Sequence, residues 1–269
     1  MIYICYGLTK SASTFLYQIT EEILRCSGGD ICRIVRPGRN IFENYFDRIS
    51  TNFLERIAAK AGDRHVVLKT HGPLDPDVAR LIASGELKAN ASFRDPREIA
   101  LSMVDHGKRA RKLGERPFSE IVTIADTFSA IDTQISYLRQ WTQTNNVKAL
   151  SYNQVCFDTK NTITNIANQI GFDLNSDHVL RIFNQKRLIG QINIACPLRY
   201  REMSNLDQNL FLKRYRDFYD DFDLHEDYTR DARIERYKDR YGFLGYHFNI
   251  SIRHVRRLAT TKSLGAVLP

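Results

Sequence analysis

Four short apolar runs, IYICYG from residue 2, HVVLKTHGP from 65, ANASF from 89 and VKALSY from 147, alternate with longer stretches of helical character. That alternation constrains the fold more than any other feature. Strands separated by helices pair in parallel, and a parallel sheet needs helices over both faces. The expected architecture is α/β, a single domain with a central parallel sheet flanked by helices. A chain of 269 residues is long enough for one such domain with a substantial core.

The helices announce themselves by spacing. TFLYQITEEILRC repeats Phe15, Leu16, Ile19, Ile23 and Leu24 on one face. Ile41, Phe42, Tyr45, Phe46, Ile49, Phe53, Leu54 and Ile57 predict a helix near 40–61, and a second long one is expected over 118–145, from Phe118 to beyond Trp141. In RDPREIALSM, Asp95 can cap a helix whose first position is Pro96. TKNTITNIANQIGF reads as a helix closing at Gly171, and residues 207–241, dense in charge and tyrosine, as solvated helices.

Composition narrows the class. With 43% hydrophobic and 26% charged residues, the chain matches ordinary globular proteins. No apolar run reaches the roughly 18 residues of a membrane span, and the N-terminus enters a strand without the marks of a signal peptide. Five scattered cysteines without a CxxC pair read as reduced thiols, with no zinc site expected. A cytoplasmic protein is the expectation. The net charge of +8 suits a polyanionic partner, but no basic, aromatic-interleaved array accompanies it, so nucleic acid is not expected.

The loop YGLTKSASTF joins the first strand to the first helix. Unpaired N–H groups at a helix start attract anions; Lys10 adds a full charge, and Ser11, Ser13 and Thr14 add hydroxyls. The ATPase pattern GxxxxGK[ST] is absent. Further polar residues gather at the carboxyl ends of the other strands, the edge where open parallel sheets bind ligands. The second strand supplies Lys69, Thr70 and His71, the third Arg94 with Ser102 eight residues on, and the fourth Tyr152. Three cations, hydroxyls, a histidine and an aromatic at one rim fit a phosphorylated ligand.

These residues, in this order, resemble the sulfotransferases that use 3′-phosphoadenosine 5′-phosphosulfate (PAPS) and release 3′-phosphoadenosine 5′-phosphate (PAP). TKSASTF resembles the family's phosphosulfate loop PKSGTTW, and LKTHGP its KTH(L)P segment. FRDPREIALSM resembles its 3′-phosphate segment, and SYNQV with ITNIANQIGF its YEDL strand and following helix. The likeness spans about residues 1–172 and implies a P-loop-like sulfotransferase fold. The donor-binding core would cover that span, with a helical acceptor or lid region and a basic C-terminal segment over about 173–269.

The resemblance also implies roles. Lys10, with the amides of Ser11, Ala12, Ser13 and Thr14, would hold the 5′-phosphate and the leaving oxygen. Phe15 and Tyr152 would contact adenine, and Arg94 and Ser102 the 3′-phosphate. Lys69 would neutralise the transferring group, and His71 would be the general base, with no metal required. The implied acceptor is a hydroxyl on a small molecule, glycolipid or saccharide.

Two departures bear on the geometry. Ala12 replaces the loop glycine, which requires negative φ at that position. The family's late RKG-type segment is matched only by RHVRRLATTKSLG, giving Arg256 or Arg257. The alternatives are a P-loop kinase and a non-catalytic nucleotide- or polyanion-binding protein.

Overall fold

The computed structural model describes residues 1–34, 44–186 and 198–224. Its elements run β1 (Ile2–Gly7), α1 (Ser13–Cys26), α2 (Thr51–Ala61), β2 (Val66–Thr70), α3 (Pro76–Ala83), β3 (Lys88–Phe93), α4 (Pro96–Leu113), α5 (Phe128–Thr142), β4 (Val147–Ser151), α6 (Tyr152–Phe157), α7 (Thr159–Ile170), α8 (Ser176–Lys186), α9 (Asn205–Arg214) and α10 (Arg216–Asp221). The four strands form one parallel sheet in the order β2-β1-β3-β4.

Alternate residues of each strand feed two cores, as the two-residue period of a strand requires. Tyr3, Cys5, Val67 and Leu150 pack on one face with α1, α7 and α8. Ile4, Tyr6, Val66, Leu68, Ala89 and Ala91 pack on the other, where Leu54, Val78, Met103, Leu138 and Phe218 bring in α2, α3, α4, α5 and α10. The result is a three-layer α/β domain, as the sequence implies.

Two helices start later than their periodicity predicts. Helix α2 begins at Thr51, because Ser50 caps it by accepting from the Phe53 amide. Before it, Asn44 to Phe46 lie along β2: the Lys69 amide donates to the Asn44 carbonyl and the Phe46 amide to the Lys69 carbonyl, both at 2.9 Å. Residues 40–43 of the predicted helix lie outside the described residues. A second isolated bridge, Ile31 to His65, flanks β2 on its N-terminal side. Helix α5 begins at Phe128, because the Asp126 carboxylate accepts from the amides of Val122 and Thr123 and holds a turn there.

Candidate functional site

Strand β1 pairs with β2 on one side and β3 on the other, so the chain changes direction across the sheet at β1. The crevice at such a switch point lies over the carboxyl ends of the strands. At the end of β1 a Cβ on Gly7 would sit 2.4 Å from Ser92 Oγ and 2.6 Å from Ser13 Cβ, so only glycine lets the loop fold back so closely. Ser11 anchors the turn. Its hydroxyl donates to the Leu8 carbonyl at 2.6 Å and pairs with Ser92 Oγ at 2.7 Å, and its amide also bonds Leu8. Ser11 therefore serves the loop's shape, and its amide is already committed.

The turn forces the residues on either side of Ser11 into the left-handed region, Lys10 at φ 70° and Ala12 at φ 65°. The expectation of negative φ at Ala12 is thus overturned. Ala12 takes the conformation a glycine would favour, at a cost of about 1–2 kcal/mol for an L-residue. Helix α1 then starts without a side-chain cap among the described residues, and its hydrogen-bond ladder begins with Leu16 N–H on the Ala12 carbonyl. By helix geometry the amides of Ser13, Thr14 and Phe15 lack ladder partners and face the loop.

Lys69 is buried at the end of β2, and its ammonium donates to Thr14 Oγ1 at 2.6 Å. His71 follows two residues on. Its Nδ1 lies 2.6 Å from the Gly7 carbonyl, which can only accept, so Nδ1 carries the proton and Nε2 the lone pair. Burial, then Lys69, push its pKa down to about 4. The imidazole is neutral at pH 7. The Tyr45 ring lies 5.4 Å from that of His71 and 5.9 Å from Lys69 Nζ, so both side chains lie on one side of the strand end.

Lys10 extends over the Phe118 ring, at 4.5 Å, and meets His106 Nδ1 from α4. Burial, with Arg109 and Lys69 as lesser causes, lowers its pKa to about 8. Arg94, at the end of β3, is 5% exposed. Its Nε donates to Glu98 at 2.8 Å, one Nη reaches the Lys10 carbonyl at 3.3 Å, and its guanidinium lies 3.7 Å over the Tyr152 ring. The other, Nη2, is buried without a hydrogen-bond partner among the described residues. Burial raises the pKa of Glu98, and Arg94 opposes the rise.

Ser102 is buried two turns into α4, with no hydrogen bond joining it to Arg94 among the described residues. Phe15 meets Phe183 of α8 edge-on at 5.3 Å. The structure thus gathers Lys10, Thr14, Lys69, His71 and Arg94 around the carboxyl ends of β1, β2 and β3. Arg256 and Arg257 lie outside the described residues. Sequence reasoning missed Tyr45, hidden in an apparent helix, and Gln134, whose side chain bonds Thr9 and His71 from α5.

Among solved structures, a mouse sulfotransferase, SULT7A1, crystallised with PAP, matches this arrangement of elements with a TM-score of 0.53 over 85% of this chain and 86% of that one, at 13% identity. The chain has the sulfotransferase fold. Retinol dehydratase in complex with androsterone and PAP matches at a TM-score of 0.52 and 15% identity, over 81% of this chain and 80% of that one. No family model matches the sequence, and no curated protein matches it. In the sulfotransferase fold of this chain, the strand ends carry the residues just described. Among the described residues no helix is long and apolar enough to cross a membrane.

Proposed function

We propose that the chain transfers the sulfuryl group of PAPS to a hydroxyl of a small-molecule, glycolipid or saccharide acceptor and releases PAP. The observation that carries this reading is a neutral His71 with its lone pair on Nε2, beside a Lys69 bonded to Thr14 at the open start of α1. A sulfuryl transfer needs a base for the acceptor proton and fixed positive charge at the transferring and leaving oxygens. Nε2 of His71 takes the proton as the acceptor oxygen bonds to sulfur. Lys69 balances charge on the sulfuryl oxygens. Lys10 and the amides of Ser13 and Thr14 stabilise the bridging oxygen as its bond to sulfur breaks.

The residues also fit the rest of the donor. Nη2 of Arg94, buried without a hydrogen-bond partner among the described residues, would donate to the 3′-phosphate, with the Ser102 hydroxyl of α4 as a second donor. Phe15 and Tyr152 offer rings for adenine. The solved neighbours with PAP support the donor class, and the one complexed with androsterone supports a small acceptor.

Calorimetry with PAP and ADP, followed by an acceptor screen with labelled PAPS, tests the proposal. PAP is expected to bind more tightly, and Arg94→Ala to erase most of that preference, since a charge-assisted hydrogen bond contributes roughly 1.5–3 kcal/mol. His71→Asn should leave PAP binding nearly unchanged and lower kcat by about 10² or more. Turnover should survive EDTA. Equal affinity for PAP and ADP, or activity lost on chelation and restored by Mg²⁺, would refute the reading and favour a kinase.

A further inference from the structure

A side chain from outside the sheet, on α5, bonds both the loop after β1 and the loop after β2. Gln134, on α5, accepts from the Thr9 amide at 3.2 Å and from the Thr9 hydroxyl at 3.4 Å through Oε1. Its Nε2 donates to the His71 carbonyl at 3.0 Å. The two partners fix the amide's orientation, because the Thr9 N–H can only donate and the carbonyl can only accept. Neither contact is a passive surface contact, since each uses a backbone group next to a residue of the site, Lys10 on one side and the imidazole of His71 on the other.

The helix that carries Gln134 is itself held firmly. The Tyr6 hydroxyl donates to the Gln134 carbonyl at 3.0 Å, and the Tyr6 ring stacks on Trp141 at 5.2 Å, 15° from parallel. Trp141 Nε1 donates to the Gly72 carbonyl at 3.2 Å, and Gln140 accepts from the Leu74 amide at 3.1 Å. Helix α5 therefore grips the loop after β2 at three points along its length. Gln134 extends that grip to the loop after β1.

We infer that Gln134 is a positioning residue that, with the bond from His71 Nδ1 to the Gly7 carbonyl, sets the spacing between the Lys10 loop and His71. The inference rests on the sulfuryl-transfer reading for its kinetic consequence, though not for the linkage itself. In an in-line transfer the base and the group stabilising the leaving oxygen act on opposite sides of one sulfur atom. Their separation must be held closely, and a 1 Å misplacement costs on the order of 10²-fold in rate. The Lys10 loop keeps its own shape through Ser11, Ser92 and Arg94 when Gln134 is changed. Donor affinity is thus expected to survive while the rate falls.

Two variants of the full-length protein separate the halves of the link. Gln134→Met removes both hydrogen bonds while keeping the length of the side chain. Gln134→Glu keeps an acceptor for Thr9 but has no donor for the His71 carbonyl. With an acceptor from the PAPS screen, both variants should lower kcat about 30-fold or more and change the Kd for PAP less than threefold. In nucleotide-free protein, amide exchange at Thr9 should quicken at least tenfold in Gln134→Met and stay near wild type in Gln134→Glu. A kcat within threefold of wild type in both variants, a rate loss matched by lost PAP affinity, or unchanged Thr9 exchange in Gln134→Met would each overturn the inference. If the wild type fails to use PAPS while Thr9 exchange responds as expected, the functional reading falls and the linkage of the two loops stands.

Discussion

Two strand-to-helix junctions sit side by side at the same sheet edge and treat their charges in opposite ways. Between β1 and α1 the helix start has no side-chain cap among the described residues, the loop runs through two left-handed residues, and Lys10 lies over the Phe118 ring and meets His106. Between β3 and α4 the start is closed. Asp95 caps the helix and grips Arg97 with both carboxylate oxygens, at 2.7–3.1 Å, and the Tyr219 hydroxyl donates to Asp95 at 2.8 Å. Arg97 is fully buried against the rings of Tyr200 and Tyr219. Glu98 is held between Arg94 and the Arg199 amide, so residues 198–224 dock on this junction.

The difference teaches that topology offers the same anion-binding position twice and that side chains decide which one stays open. At the α4 junction acids fill the helix start and pair with its cations, leaving Nη2 of Arg94 and Nη1 of Arg97 buried without a hydrogen-bond partner among the described residues. At the α1 junction no acid enters the first turn. An anion arriving at the first junction meets amides without ladder partners; at the second it must compete with carboxylates already in place.

Removing the closure should have the largest effect. Asp95→Ala strips α4 of its cap and leaves the Arg97 guanidinium buried and unpaired, which is expected to cost about 3–5 kcal/mol. Urea denaturation checks this, and a loss under 1 kcal/mol would mean that Tyr200 and Tyr219 alone hold Arg97.

Next in size is the charge state of the open junction. His71 is neutral above about pH 4 and Lys10 charged below about pH 8, so kcat/KM should fall roughly tenfold per pH unit outside those limits. Below the first limit the base is protonated; above the second the lysine loses its charge. Arg94 stays charged across the range, because Tyr152 and Glu98 hold its pKa above the ordinary value despite burial. A pH–rate profile checks the limits, and His71→Asn should abolish the acidic limb alone.

The smallest effect concerns the backbone. Ala12→Gly relieves a left-handed alanine but loosens the unfolded chain, giving a net gain of about 0.5–1 kcal/mol. Thermal melts check it. A loss instead would show that the alanine methyl packs against the core around α1, where Ala12 is partly buried.

The four strands, α1, α4, α7 and the Asp95 cap were legible in the sequence because each is fixed by local signals: β-prone runs, a 3.6-residue period, a cap before proline, a glycine at the C-terminus. Helices α3, α6 and α8 were not read. The six residues of α6 are too few to show a period, and its capping box on Ser151 and Gln154 lies in what reads as the end of a strand. Tyr45 was misread because its spacing with Phe46 and Ile49 imitates a helix, whereas its backbone pairs along β2. The left-handed turn at Ala12 follows from Ser11 reaching Ser92, and Gln134 matters through two backbone partners more than sixty residues away. Contacts between distant segments leave no periodic trace.

The pairing of Asn44 to Phe46 along β2, with the bridge from Ile31 to His65, has a consequence for the molecule's behaviour in a crowded solution. An unpaired outer strand is a template on which another chain can add and aggregate. These short segments occupy the outer edge of β2, next to Lys69 and His71, where a foreign strand would otherwise bury the site. At the opposite end of the sheet β4 pairs with β3 on its inner side, and there Lys148 is exposed in mid-strand. A charged side chain at that position opposes strand addition by its desolvation cost. One end of the sheet is shielded by the chain itself and the other by charge.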